Sequence, residues 1–268
     1  MRNAHYTLIC LSLLAVSISV QSLTAQNNYE TTTADSTPNI ERPLNFIAFG
    51  AQYGFQIPAA DMADRYGNNY QAMISMDIYN RNWNGFYGVE VGMLFGNTVK
   101  EDVMAPYRVS AGVLLGADGN PGDIFLRLRG NYFGLYTNKT VLPSRPNSAS
   151  GLNIGLGVGL LQHKVRIVND TDNIGQIVGD YEKGYDRLTR GLALKQSLTY
   201  QHLGTKRSVN YSIGLSCSEG FTESVRQINF DTGADAKGRR MDILISLNVK
   251  WFIPIAKSGD RSKNEVFY

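Results

Sequence analysis

The chain has 268 residues, 26 Lys and Arg against 23 Asp and Glu for a formal net charge of +3, and 43% hydrophobic residues. The basic residues are scattered, which argues against a nucleic-acid binder, and with only 2 cysteines there is no disulfide framework. Beyond the first 25 residues no stretch approaches the roughly 18 consecutive apolar residues of a transmembrane helix, and no repeat, linker or composition break divides the chain into two domains.

In chain order, Arg2 opens a short charged region, Thr7 to Val20 is apolar and Ser22 to Ala25 ends in small residues, so residues 1–25 read as a secretory signal peptide. Cys10 lies inside the apolar region after Ile9 and is not read as a lipoprotein cysteine. Residues 26–43, with Thr31 to Thr33 and few apolar side chains, predict a flexible periplasmic leader.

Eight stretches then alternate large apolar side chains with small or polar ones, the period-two signature of strands. From Leu44 to Pro58 one face carries Ile47, Phe49, Ala51, Tyr53, Phe55 and Ile57, and the other Ala48, Gly50, Gln52, Gly54 and Gln56. Six more follow: Tyr70 to Tyr79, Phe86 to Asn97, Ile124 to Thr137, Leu152 to Val168, Leu188 to Gln201 and Ser208 to Gly220. The last, Met241 to Ile253, sets Met241, Ile243, Ile245, Leu247, Val249, Trp251 and Ile253 against Asp242, Ser246, Asn248 and Lys250. Each meets the roughly 9 to 11 residues that a tilted strand needs to cross a bilayer.

A soluble eight-stranded barrel would show the same period with its polarity reversed. A water-facing strand surface carries long Lys, Glu and Thr side chains, whereas the polar faces here read Gly88, Glu90, Gly92, Gly96 or Asn153, Gly155, Gly157, Gly159. Small residues suit a crowded lumen, and the bulky rows, such as Leu152, Ile154, Leu156, Val158 and Leu160, suit lipid. The prediction is an all-β chain: one antiparallel transmembrane β-barrel over residues 44–254, with about eight strands, a plugged polar lumen and long extracellular loops, and a polar C-terminal tail over 255–268. Cys217, alone once the signal is removed, is expected to face lipid as a small apolar side chain.

With the first strand running outward, Tyr87, Tyr136, Tyr200, Tyr211 and Trp251 form the periplasmic aromatic girdle, and Phe55, Tyr70 and Phe95 a sparser one at the other depth. Tight turns at Asn80 to Asn84 and Gly204 to Arg207 alternate with long polar connections at Ala59 to Asn69, Thr98 to Gly122, Asn169 to Tyr185 and Glu223 to Arg239. Asn138 to Gly151, with Pro143 and Pro146, is the exception, being long for a periplasmic turn, and Arg108 to Leu115 has the pattern of an added hairpin above the membrane.

The lumen receives Asp77, Glu90, Arg127, Arg129, Lys195, Asp242 and Lys250 on this alternation, nearly balanced in sign. Charges inside a barrel this narrow must pair, so a plug of ion pairs centred on Glu90 with Arg129 and Lys195 is expected, against the alternative of a small selective pore. An acyl hydrolase needs Ser, His and a carboxylate in mutual reach; after the signal only His163 and His202 are available, and parity puts Glu219 on the opposite face from Ser218. Gly155-Leu-Gly157-Val-Gly159 continues a strand with no helix or Lys-Ser/Thr pair behind it, so it is no nucleotide loop. Asp170, Asp172 and Gly175 start an EF-hand spacing that fails at Ile174 and Tyr181, and a solvated loop is preferred. Lys237, Arg239 and Arg240 are weighed as contacts for an acidic sugar or lipopolysaccharide phosphate against a solvated loop, which is preferred.

Signal peptide, eight-strand alternation and aromatic strand ends together resemble the small outer-membrane barrels of the OmpA and OmpX type, and the Ala25-Gln26 junction and final strand Leu247 to Pro254 resemble those of porin-family proteins of the Bacteroidota. The resemblance covers residues 44–254 and implies location and fold more than activity. It departs at the end, where Trp251 and Phe252 are followed by a polar tail that itself ends Phe267-Tyr268. The expectation is a non-enzymatic outer-membrane protein without cofactor or metal, both termini periplasmic. Its partners would be membrane lipid, lipopolysaccharide or envelope proteins, not nucleic acid. An accessory role in protein secretion, a pore and a lipid A-modifying enzyme are the alternatives.

Overall fold

Alternation of side-chain size closes this chain into a ring. The computed structural model describes residues 45–109, 112–116, 119–122, 124–144, 148–169, 179–204 and 210–255. The segments expected to be a signal peptide and leader (1–43), residues 256–268, Asp170, Asp172, Gly175 and most of the turn at Gly204 to Arg207 lie outside the described residues. The strands are β1 (Phe46–Ala60), β2 (Asn69–Asn80), β3 (Gly85–Gly96), β4 (Leu114–Leu115), β5 (Pro121–Gly122), β6 (Ile124–Pro143), β7 (Gly151–Asn169), β8 (Thr189–Leu203), β9 (Asn210–Ser224) and β10 (Arg239–Ile255). Eight of them form a closed antiparallel barrel in the order β1-β10-β9-β8-β7-β6-β3-β2. Closure removes the sheet edges that would otherwise offer unpaired backbone groups.

β4 and β5 pair only with each other, and Arg108 bridges Leu114, so residues 108–115 double back within the β3–β6 connection and add no barrel strand. β6 and β7 run beyond the sequence-based bounds: the segment expected to be a long connection from Asn138 continues the hairpin to Pro143 opposite Gly151, with an irregularity between Thr140 and Leu142. Pro143 is tolerated because it ends its strand, where its missing N–H breaks no ladder. The connections joining β1–β2, β3–β6, β7–β8 and β9–β10 gather at one end, the loop end, and the tight ones at the other, the turn end.

The large apolar residues stand on the outside. Ile74 is 64% exposed, Met93 61% and Leu192 60%, and the same outward rows carry Val89, Leu135, Val158, Ile213 and Val249. The inside has two characters. Its turn half is lined by buried polar side chains, among them Asp77, Glu90, Lys195, Asn248 and Ser246, while its loop half is an apolar cluster of Met62, Tyr66, Leu94, Met104, Leu128, Leu161, Val165 and Leu244. The short helix α1 (Asp61–Arg65) belongs to this filling. After Ala60, whose φ of 53° turns the chain, Met62 and then Tyr66 are carried into the apolar cluster of the barrel mouth, and both are fully buried.

Candidate functional site: the lumen and its loop-end cap

The lumen is layered. Nearest the turn end, Lys250 Nζ lies 2.5 Å from Asp77 Oδ2 and donates to Tyr136 Oη at 2.7 Å, and the Tyr136 hydroxyl itself donates to Asp77. Gly88 makes this possible: a Cβ there would sit 2.5 Å from Asp77 Oδ1 and 2.8 Å from the Tyr136 ring. Above it, Lys195 Nζ is 2.6 Å from Glu90 Oε1 and 5.6 Å from the Tyr132 ring centre. Tyr132 lies flat over Gly134 and Gly159, whose missing side chains leave its place. Beside these pairs an amide and hydroxyl ladder crosses the barrel, with Gln56 donating to Gln71 at 3.0 Å and to Ser246 at 3.1 Å, Gln71 to Asn248, and Asn248 to Ser216 at 2.8 Å. The lumen between Asp77, Glu90, Lys195 and Lys250 retains a cavity of about 60 Å³, space for a few water molecules.

Towards the loop end, His163 Nε2 is 2.8 Å from Asp242 Oδ2, the Thr222 hydroxyl donates to the same oxygen at 2.5 Å, and Tyr66 Oη is 3.4 Å from His163 Nδ1. The His163 and Asp242 side chains are 0% exposed. Over them lies a chain of ion pairs that takes one residue from each loop-end connection. Arg65 Nε meets Glu101 Oε2 at 2.7 Å, Glu101 Oε1 meets Arg187 Nε at 2.7 Å, and Arg187 Nη2 meets Asp231 Oδ2 at 2.6 Å. Arg226 grips Asp186 with two nitrogens, at 2.9 and 2.6 Å. Burial alone would raise the Glu101 carboxyl, but the Arg65 charge and the hydrogen bonds from Arg187 and Arg65 outweigh it and hold the group below its ordinary value. Backbone bonds join the same connections: Gly67 N–H to Thr98 O at 2.9 Å, and Phe230 N–H to Gly184 O at 3.0 Å.

Of the residues expected in the lumen, Asp77, Glu90, Lys195, Asp242 and Lys250 line it, and Arg127 and Arg129 do not. On β6 the even-numbered residues Leu126, Leu128, Tyr132 and Tyr136 point inward, and Phe125, Arg127, Arg129, Phe133 and Leu135 outward. Expecting the arginines inside was a one-residue slip of face, which moves every side chain of a strand together. It also misplaced Tyr136, which leaves the girdle for the Asp77–Lys250 pair. The reason is the apolar character of the upper lumen: Leu128, 0% exposed, packs there among Leu161, Val165 and Leu244, and two guanidinium groups in its place would have to be buried in that cluster.

Tyr87, Tyr200, Tyr211 and Trp251 stand on the outer wall at the turn end, and Trp83, whose place in a turn hid it, stacks on Tyr87 at 6.2 Å. At the loop end Tyr53, Phe55, Tyr70 and Phe95 form an outward cluster, with Tyr70 and Phe95 centres 6.1 Å apart. Arg240 donates to Asp61 O at 2.7 Å and does not join Lys237 and Arg239 in one patch. Cys217 holds an outward register position but is buried beside Ala59, Ala60 and Ile243. The members of the cap, Arg65, Glu101, Arg187 and Asp231, give no sequence signal, since partners in each ion pair lie 36, 86 and 44 positions apart.

No protein-family model matches the chain, and no curated protein does. Among solved structures it is similar to Ail, the attachment invasion locus protein of Yersinia pestis, with a TM-score of 0.41 and 9% identity over 80% of this chain and 100% of that one. A second structure of Ail, in complex with the heparin analogue sucrose octasulfate, gives a TM-score of 0.39 and 11% identity over the same shares. The eight-strand ring itself rests on this chain's own hydrogen-bond register.

Proposed function

We propose that the chain is an outer-membrane β-barrel with a non-enzymatic role, whose sealed lumen locks the fold and whose capped loop end presents a fixed surface to other envelope components. The observation that carries this reading is the apolar outer wall bounded by aromatic residues at both ends. From Tyr87 to Phe95 on β3 the wall reads Tyr, Val, Val, Met, Phe at alternate positions. Eight residues of strand span about 27 Å, or about 20 Å of height at a tilt near 40°, close to the roughly 25 Å band of such barrels. Burying this surface in hydrocarbon removes the cost of exposing it to water.

The cap supports the interaction role. An ion chain through all four loop-end connections fixes them relative to one another, so a partner meets a surface already ordered and loses less entropy on binding. Envelope proteins, lipopolysaccharide and a secretion apparatus are the partner classes to test by crosslinking in intact membranes. A hydrolase reading is disfavoured by geometry: His163 is sealed between Asp242 and Tyr66 with no exposed face, and Glu219 accepts a hydrogen bond from Gln196 instead.

Nitroxide scanning of β7 in reconstituted vesicles tests the membrane placement. Labels at Leu156, Val158 and Leu160 are expected to collide with oxygen dissolved in lipid, and labels at Asn153 and Leu161 to be shielded. Equal oxygen access at both sets would remove the reading.

A further inference from the structure

The β6–β7 ladder carries an arrangement that neither the lumen nor the cap uses. On the outer wall Arg127 stands directly opposite Arg166, and Arg129 opposite Lys164. Like charges facing each other across two strands repel, and here two such pairs are adjacent on one face. Cross-strand neighbours are about 5 Å apart and the two rows about 7 Å apart, so four cations crowd a footprint the size of one or two phosphoryl groups.

Among the described residues no carboxylate pairs with Arg127, Arg129 or Arg166. Lys164 reaches Glu182 only at 4.0 Å and Asp186 at 3.9 Å, and Asp186 is already held by both nitrogens of Arg226. Asp102, which borders the same surface as Arg127, is engaged by Arg108 at 2.5 Å.

Below the cations the wall changes in steps. Asn131 and Gln162 face each other next, and then Phe133 and Leu160 begin the apolar belt. Arg129, Asn131, Gln162 and Lys164 together with Met93 and Phe95 line a surface groove of about 360 Å³. Phe95 is the register neighbour of Arg129 and belongs to the loop-end aromatic cluster, which sets the depth at the membrane boundary. Guanidinium groups for phosphate oxygens, amides for headgroup hydroxyl or carbonyl groups, and an apolar wall for an acyl chain follow one another in the order in which a lipid presents them.

We infer that this groove, together with the Arg127–Arg166 pair next to it on the same outer face, is a binding site for the phosphorylated headgroup of an outer-leaflet lipid, held by Arg127, Arg129, Lys164 and Arg166. The inference rests on the membrane placement proposed above. Bound phosphate converts a repulsive cluster into a cohesive one, so the sign of a mutation's effect depends on the lipid supplied.

The test uses the full chain in phosphatidylcholine vesicles, with and without 20 mol % phosphatidic acid, and compares the urea midpoint of unfolding for the native chain with R127Q/R166Q and R129Q/K164Q. In phosphatidylcholine alone the variants are expected to be as stable as the native chain or more so. With phosphatidic acid the native chain gains stability and the variants do not. Diphosphoryl lipid A titrated into the detergent-solubilised protein and read by native mass spectrometry is expected to bind each variant at least about tenfold more weakly. K237Q/R239Q, changing two exposed cations elsewhere at the loop end, is the control and should bind as the native chain does. Inorganic phosphate that displaces the lipid at equal concentration would show a site for the free anion and overturn the lipid assignment. Equal lipid binding by native chain and variants would overturn the site itself. Failure of every form to insert into either vesicle would instead strike the membrane placement.

Discussion

Glu90 and Lys195 show what a buried charge demands of its surroundings. Burying either charge alone would be costly, and at 2.6 Å the Lys195 ammonium meets the Glu90 carboxylate, with the Tyr132 ring centre 5.6 Å from the ammonium. Lys195→Met is therefore expected to lower the unfolding free energy in vesicles by about 3–5 kcal/mol, because it strands the Glu90 carboxylate. Adding Glu90→Gln should recover most of that loss, and a double-mutant cycle on urea midpoints measures both effects. A double variant no more stable than Lys195→Met would mean that the lost stability lies in packing. Small residues serve the same economy of space: Gly88 and Gly159 are where Tyr136 and Tyr132 lie down, which is why glycine fills the inner rows.

Elements were legible wherever the two faces of a strand differ sharply. β1, β7 and β10 set large apolar residues on one side and small or polar ones on the other, and their inner and outer faces follow directly. β6 does not, because its loop-end half is apolar inside as well as outside: Leu126 and Leu128 face the upper core while Phe125 faces out. Pattern alone then follows the charges inward, and only the packed cluster beneath the cap reverses it. The cap was illegible for another reason, since its ion pairs join residues from separate connections with no periodicity to announce them. Its titration gives a test. The Glu101 carboxyl is held below its ordinary value of 4.5, so its contribution is present above that value and is lost as pH falls through the lowered native one. Amide exchange at Lys100, whose N–H bonds Arg65 O at 2.8 Å, should speed up over that acid range after correction for intrinsic rates. Glu101→Gln should show the faster exchange already at neutral pH and a smaller acid step; identical acid steps in both would assign the loosening to another group.

For the whole molecule, the two halves of the lumen act in series. A polar lower half with a cavity of about 60 Å³ is closed above by Met62, Leu128, Leu161 and the rest of the apolar cluster, and then by the cap. Planar bilayers containing the purified protein are expected to show no steady conductance, and channels of reproducible size would contradict the seal. The sequence by itself determined the eight alternating strands, the outward direction of most apolar rows and the separation of tight turns from long connections, because these are local and repeat every second residue. Only the tertiary structure decided which face of β6 is inside, that α1 fills the mouth, and that Arg65, Glu101, Arg187 and Asp231 meet. Those outcomes depend on what lies across the barrel, where partners distant in the chain compete for one small volume and the charge or side chain that finds no match there is turned outward.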